Sequence, residues 1–316
     1  MEIDRGVLTL SLDFELIWGT LDLSGPEAFR EACERERSSE VFDFFLALLD
    51  EFEIPATWCV VGHLMLGSCG TVNGRKHPEI VRPGHESYPD DWFANDPCKD
   101  EEASPIFYGR SLVEKLLACE TEQEIGCHSF SHVIFGDRGC SRETADSEVR
   151  ACVEVARELG VSLRSFAFPR NKVGHLDVLR EYGFTCFRGP QPTRREGGAI
   201  SMRRPPVSVP APSHGLVNIP ASMEYSRKHG GRRYVPRPWG AKGALRGVER
   251  AVREQRVFHL WLHPTELADE TESMLEGLGA VFEAAARARE RGELEILPMA
   301  ELAVRAADRR RQPERA

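Results

Sequence analysis

Near the start of the chain apolar and polar side chains alternate, with Leu8, Leu10 and Leu12 against Thr9 and Ser11, bounded by Gly6 and Gly19. A period of two predicts a buried strand. The run ends in two carboxylates, Asp13 and Glu15, whose spacing sends both to the same side. Unpaired buried carboxylates are costly, so a cation is expected opposite them; solvated strand-end acids are the plain alternative. From Pro26 to Phe52 the period becomes helical, with Phe42, Phe45, Leu46, Leu48 and Leu49 forming a stripe. The apolar run from Ile54 to His63 reads as a second buried strand. Strand, helix, strand in that order implies a parallel pair.

The alternation continues. Helices are predicted at Ser111–Cys119, Ser141–Leu159, Asp177–Tyr182, Ala244–Gln255 and Thr271–Arg291. Strands are predicted within Glu124–His132, Ser165–Arg170, Phe184–Gly189, Gly215–Pro220, Val257–Pro264 and Leu294–Leu297. No repeat or linker divides the chain. One parallel-sheet α/β domain over residues 1–305 is expected, open or closed as a barrel, with a polar tail at 306–316. In either form the chemistry belongs at the C-terminal ends of the strands.

Two stretches interrupt the rhythm. Residues 67–109 hold five prolines together with Tyr88, Trp92, Phe93, Phe107 and Tyr108. That texture suits an insertion packed over a site, or a decorative surface loop. Residues 190–240 are irregular and carry Arg227, Lys228, His229, Arg232, Arg233 and Arg237. This cluster suits an anionic substrate, a nucleotide diphosphate or a lipid headgroup, or is a solvated loop.

Composition narrows the reading. A net charge of -9 over 316 residues argues against broad nucleic-acid binding. No apolar run approaches the ~18 residues of a membrane span, and the first residues lack a basic and apolar leader. Nine scattered cysteines without a CxxC pair fit reduced thiols, and a cytoplasmic location is expected. Cys59 and Cys127 read as small core residues.

The predicted strand ends concentrate titratable groups: Asp13, Glu15, His63, His128, His132, Arg170 and His263. His128 and His132 are spaced to share one face of a helix. Two histidines and a carboxylate are a common ligand set for a catalytic divalent metal with an open position for water. A metal is also the cation that two inward carboxylates would need.

The chain resembles the polysaccharide deacetylases of the NodB-homology type, carbohydrate esterase family 4, from about Leu8 to Ala303. Ser11-Leu12-Asp13-Phe14-Glu15 stands at the Thr-Phe-Asp-Asp motif, and Ala56–Gly62 matches Ala-Thr-Phe-Phe-Val-Val-Gly. Glu124–His132 matches Glu-Ile-Gly-Asn-His-Ser-x-x-His, and Leu260–His263 matches the late Leu-Leu-His. The Asp-Phe-Glu opening, Asp91-Trp92-Phe93 and Phe168-Pro169-Arg170-Asn171 are similar to a subgroup associated with surface-polysaccharide gene sets. Two positions depart: the family's second aspartate falls on Phe14, and its third-motif arginine on Ala167, with Arg170 the nearest arginine.

The resemblance implies a distorted (β/α)7 barrel in a single domain, with a long insertion after the second strand. It implies a hydrolase that removes N-acetyl groups from an amino sugar or saccharide, lipid- or nucleotide-linked precursors included. Asp13 is then the base and His263 the acid, with Arg170 orienting Asp13. Glu15, His128 and His132 hold a divalent metal, zinc first and cobalt or nickel next. Trp18, Trp92 and Trp261 are candidates for stacking on sugar. Other amide hydrolysis on the same scaffold (allantoin-type, cyclic imide, formyl), O-deacetylation, and a non-catalytic sugar-binding barrel are the alternatives.

Overall fold

The structure, a computed structural model, describes residues 4–23, 27–37, 39–86, 88, 90–191, 204–225, 238–268 and 271–311. Its frame is a curled, mostly parallel sheet. In chain order the strands are β1 (Gly6–Phe14), β2 (Thr57–Val60), β3 (Thr71–Val72), β4 (Arg75–Lys76), β5 (Glu124–Cys127) and β6 (Ser165–Ala167). They continue as β7 (Cys186–Gly189), β8 (Ala211–Ser213), β9 (Leu216–Pro220), β10 (Met223–Glu224), β11 (Val257–Leu262) and β12 (Leu294–Ile296). The helices are α1 (Glu27–Arg37), α2 (Ser39–Glu51), α3 (Arg110–Leu117), α4 (Arg142–Glu158), α5 (Leu176–Glu181), α6 (Pro238–Glu254), α7 (Thr271–Glu290) and α8 (Met299–Arg311).

The strand order is β10-β11-β1-β2-β5-β6-β7-β9-β8, with β12 also on β1. Every pair in this sheet is parallel except β8 with β9. The chain between β9 and β10 curls the sheet back on itself: Ala221 N–H donates to Gly189 O of β7, and Ser222 N–H to His259 O of β11, each at 2.9 Å.

The alternation in β1 has a direct counterpart. Leu8, Leu10, Leu12 and Phe14 join the main core, where the Phe14 ring lies 6.0 Å from Trp58, edge-on. Thr9, Ser11 and Asp13 face the other way, into a buried polar interior. There Ser11 Oγ meets His259 Nε2 at 2.8 Å and accepts from Arg188 Nη1 at 3.1 Å. Helix α4 starts where Ser141 accepts from Thr144 N–H, a cap that stabilises by ~1 kcal/mol.

Some expectations change. The helical stretch after β1 divides into α1 and α2. The expected tail is helical as far as Arg311. Residues 67–109 are packed down: Trp92 and Phe93 are buried, and Trp92 Nε1–H donates to Ser131 O at 2.8 Å. The basic residues Arg227, Lys228, His229, Arg232, Arg233 and Arg237 lie outside the described residues. Among the described residues no helix is long and apolar enough to cross a membrane.

Candidate active site

Strand register explains why distant residues meet. Leu12 pairs with Leu262, so Asp13 and His263 leave β1 and β11 at one level. Phe14 pairs with Val60, and Val60 with Cys127, so Glu15 and His128 emerge together one residue further on. Ala167 pairs with Arg188, which brings β7 into the same rim.

Nitrogen and oxygen atoms of five side chains converge there. Glu15 Oε2 lies 3.2 Å from His128 Nε2 and 3.1 Å from His132 Nε2. His263 Nε2 is 3.6 Å from Glu15 Oε1 and 3.9 Å from Asp13 Oδ2. His128 Nδ1 sits 2.9 Å from Ala167 O, which can only accept, so Nδ1 carries a proton and in the neutral ring the Nε2 lone pair faces Glu15. A lone pair against a carboxylate is repulsive without a proton or metal between them.

The donor set of Glu15, His128 and His132 therefore fits a divalent metal: three ligand atoms within 4.8 Å of one another, all on buried residues. Asp13 Oδ2 stands back, 4.0 Å from His128 Nε2.

The turn holding both histidines is not helical, contrary to the helix suggested by their spacing. Ser129 and His132 take φ of 58° and 63°, in the left-handed region. Glu148 on α4 supplies what a helix would have supplied. Its carboxylate accepts from Phe130 N–H (2.8 Å), Ser131 N–H (2.9 Å) and the Ser131 hydroxyl (2.6 Å). Ser129 O and Phe130 O in turn accept from Gly62 and His63 N–H, both at 2.8 Å.

Arg188, rather than Arg170, holds Asp13. Its Nη1 and Nη2 donate to Oδ1 at 2.7 Å and Oδ2 at 2.6 Å, a bidentate fork on a fully buried side chain. Its guanidinium also lies 4.3 Å over the Trp261 ring. Arg170 turns away, with φ of 56°, to pair with Asp22 and to donate to Gly19 O at 2.8 Å. It braces the turn after Glu15 instead of touching Asp13.

The electrostatics differ residue by residue. Burial pushes the Asp13 carboxyl up, but Arg188 together with His128 and His263 outweighs it and holds the pKa below its ordinary value. Burial likewise opposes ionisation of Glu15, yet His132 and His263 bring it well below the usual range. Burial pulls His263 down, whereas Glu15, Asp13, Glu266 and Glu224 overcome that and raise it. His263 Nδ1 stands 3.9 Å from Glu266 Oε1 and 4.0 Å from Glu224 Oε1.

Sequence reasoning missed Arg188, Glu148, Glu224 and Glu266. For Arg188 the available signal was an arginine inside a buried strand. His63 lies elsewhere, in the 3-10 turn Gly62–Met65 against the insertion. Trp18 is buried 4.3 Å from the His63 ring, with Nε1–H bonded to Phe107 O. Trp92 and Trp261 are also buried, and the Trp261 ring lies 5.5 Å from that of His263.

No protein-family profile matches the chain, and no curated protein matches it in sequence. Solved structures do. A Mycobacterium smegmatis protein assigned to the polysaccharide deacetylases superposes with a TM-score of 0.64 at 13% identity, over 98% of this chain and 93% of that one. A Pseudomonas aeruginosa protein of the same assignment gives 0.59 at 12%, over 96% and 91%. The PuuE allantoinase gives 0.58 at 12%, over 94% and 89%. The chain thus has the fold of the polysaccharide deacetylases and of this allantoinase.

Proposed function

We propose that this protein is a metal-dependent hydrolase of the polysaccharide deacetylase type, cleaving the N-acetyl group of an amino sugar. The reading rests on one arrangement: a buried carboxylate held by a bidentate arginine, beside a two-histidine, one-carboxylate ligand set and a carboxylate-ringed histidine.

Glu15, His128 and His132 would hold the ion, and the nitrogen-rich set suits zinc, with cobalt or nickel as substitutes. A bound divalent ion supplies an acidified water and a counter-charge for developing negative charge. Asp13, kept ionised by Arg188, accepts the proton of the attacking water. His263, kept protonated by its ring of acids, gives a proton to the leaving nitrogen as the C–N bond breaks. One water is consumed; acetate and a free amine are released. Trp261 is the aromatic ring best placed to border the substrate. The surface-polysaccharide subgroup, with a lipid- or nucleotide-linked precursor among its substrates, is the finer form of this proposal. The seven-unit barrel belongs to it as well.

Allantoin-type amide hydrolysis is the second reading, favoured by the fold shared with an allantoinase. Release of acetate, formate and ammonia should be assayed across N-acetylated saccharides, formyl sugars and allantoin with zinc or cobalt added. Acetate release from saccharides alone supports the proposal. Ammonia or ring-opened product from allantoin alone replaces it. Glycan binding without turnover under every metal would make the site non-catalytic.

A further inference from the structure

A second cluster of ligand-type side chains lies where the insertion meets the end of β2, away from the residues above. His63 follows β2, in the 3-10 turn Gly62–Met65; Cys69 and His77 flank the small β3–β4 hairpin; Asp96 comes from the segment after Trp92 and Phe93. Their donor atoms converge. His63 Nε2 and His77 Nε2 are 3.2 Å apart. Asp96 Oδ2 is 3.2 Å from the first, 3.0 Å from the second and 3.4 Å from Cys69 Sγ. All four atoms lie within 4.8 Å of one another. Four ligands about 2.0 to 2.3 Å from one tetrahedral ion stand roughly 3.3 to 3.7 Å apart, close to these separations.

The outer partners fix the direction of the lone pairs. His63 Nδ1 lies 3.1 Å from Phe107 O, and His77 Nδ1 lies 3.2 Å from Glu79 Oε1. Both acceptors take a proton from Nδ1, so in the neutral rings both Nε2 lone pairs face the centre, as in carboxylate–histidine–zinc and carbonyl–histidine–zinc arrangements. Asp96 Oδ1 is engaged by Cys98 N–H at 3.0 Å, leaving Oδ2 for the centre. The nearby cation is used elsewhere: Lys76 Nζ donates to the backbone carbonyls of Ala94 and Asp96. His63, His77 and Asp96 are 0, 5 and 1 % exposed, and His77 adopts a φ of 41° to aim inward.

We propose that His63 Nε2, Cys69 Sγ, His77 Nε2 and Asp96 Oδ2 form a second, closed metal site of the zinc type. Two imidazoles, a thiolate and a carboxylate suit zinc and disfavour magnesium and calcium, which take oxygen. Binding releases the Cys69 thiol proton to solvent. Four protein ligands leave no open position, so the site is structural, unlike the three-ligand set at Glu15. The ion clamps the insertion to the end of β2. It also supports the wall of the other site: the Phe130 ring, between His128 and His132 in sequence, lies 5.7 Å from His63 and 5.5 Å from His77. The proposal stands independently of the hydrolase reading.

Sulfur separates the two sites, because the Glu15 set contains none. The full chain, purified under reducing conditions, should carry about two metal ions by elemental analysis, and about one in Cys69→Ser or in His128→Ala. After exchange with Co2+, wild type and His128→Ala should show a thiolate-to-cobalt charge-transfer band in the near ultraviolet. Cys69→Ser should lose it, and Cys98→Ser should keep it. The wild-type spectrum decides even if a variant fails to fold. No such band in cobalt-loaded, fully reduced wild type overturns the site. So does intact-mass detection of a Cys69–Cys98 disulfide in metal-free, fully folded protein, since the two Sγ atoms are 3.1 Å apart. Loss of the band in Cys98→Ser but not in Cys69→Ser overturns the ligand assignment.

Discussion

Arg188 grips both carboxylate oxygens of Asp13 across the interior of the curled sheet, at 2.7 and 2.6 Å. The fork fixes the orientation of Asp13 and keeps it charged in a buried setting. Arg188→Lys keeps the charge but loses the fork, so turnover should fall about 10- to 100-fold while the protein folds. Arg188 lowers the Asp13 pKa, so weakening the pair raises it. The acid limb of kcat/KM should therefore move to higher pH. Arg188→Leu strands a buried carboxylate and should destabilise the fold by ~3–5 kcal/mol in urea unfolding. An unshifted acid limb in Arg188→Lys would remove Asp13 as the base.

Gly19 is set against Glu15. A Cβ at position 19 would overlap Oε1 and Cδ of that side chain. Gly19→Ala should therefore push Glu15 out of line with the two histidines and weaken metal retention by about 10- to 100-fold. Far-ultraviolet circular dichroism should be unchanged. Full metal retention in this variant would mean that Glu15 is not a ligand.

The alternating strand β1 was legible because a two-residue period reports directly which side of a strand is buried, and Asp13 and Glu15 inherit that register. The identities of His128, His132 and His263 were legible for the same reason, as residues just beyond apolar runs. The conformation of the histidine turn was not. Its left-handed residues depend on Glu148, a carboxylate on α4 whose bonds to Phe130 and Ser131 leave no local trace. Arg188 was passed over because its partner is distant in sequence, and Arg170 stood nearer to the motif. His63 shares the strand-end position of the other histidines, but the short turn Gly62–Met65 swings it against the insertion.

His263 is the proton donor in the proposed reaction, and its surroundings set its titration. Burial lowers its pKa, and Glu15, Asp13, Glu266 and Glu224 raise it above 6.5. The alkaline limb of kcat should fall above that value. His263→Gln should lower kcat by about 10²- to 10⁴-fold with metal content unchanged, and should abolish the limb. Glu224→Gln removes one of the raising charges and should move the limb to lower pH. A limb indifferent to both changes would belong to another group.

Glu148 makes stability depend on pH in an unusual direction. Burial pushes its carboxyl up to about 7, even though the Ser131 hydroxyl and the Phe130 and Ser131 amides favour the charged form. In the unfolded chain it titrates near 4.5. Between these values the folded state binds more protons than the unfolded one, so stability should fall as pH rises, by up to ~1.4 kcal/mol per pH unit. Glu36, pushed up to about 8 by burial, adds a slope of the same sign. Glu148→Gln should therefore reduce, without abolishing, the loss of urea stability between about pH 5 and about pH 7. Glu36→Gln in the same background should remove most of what remains. An unchanged slope in the double variant would show that both carboxylates are ionised in the folded protein at neutral pH.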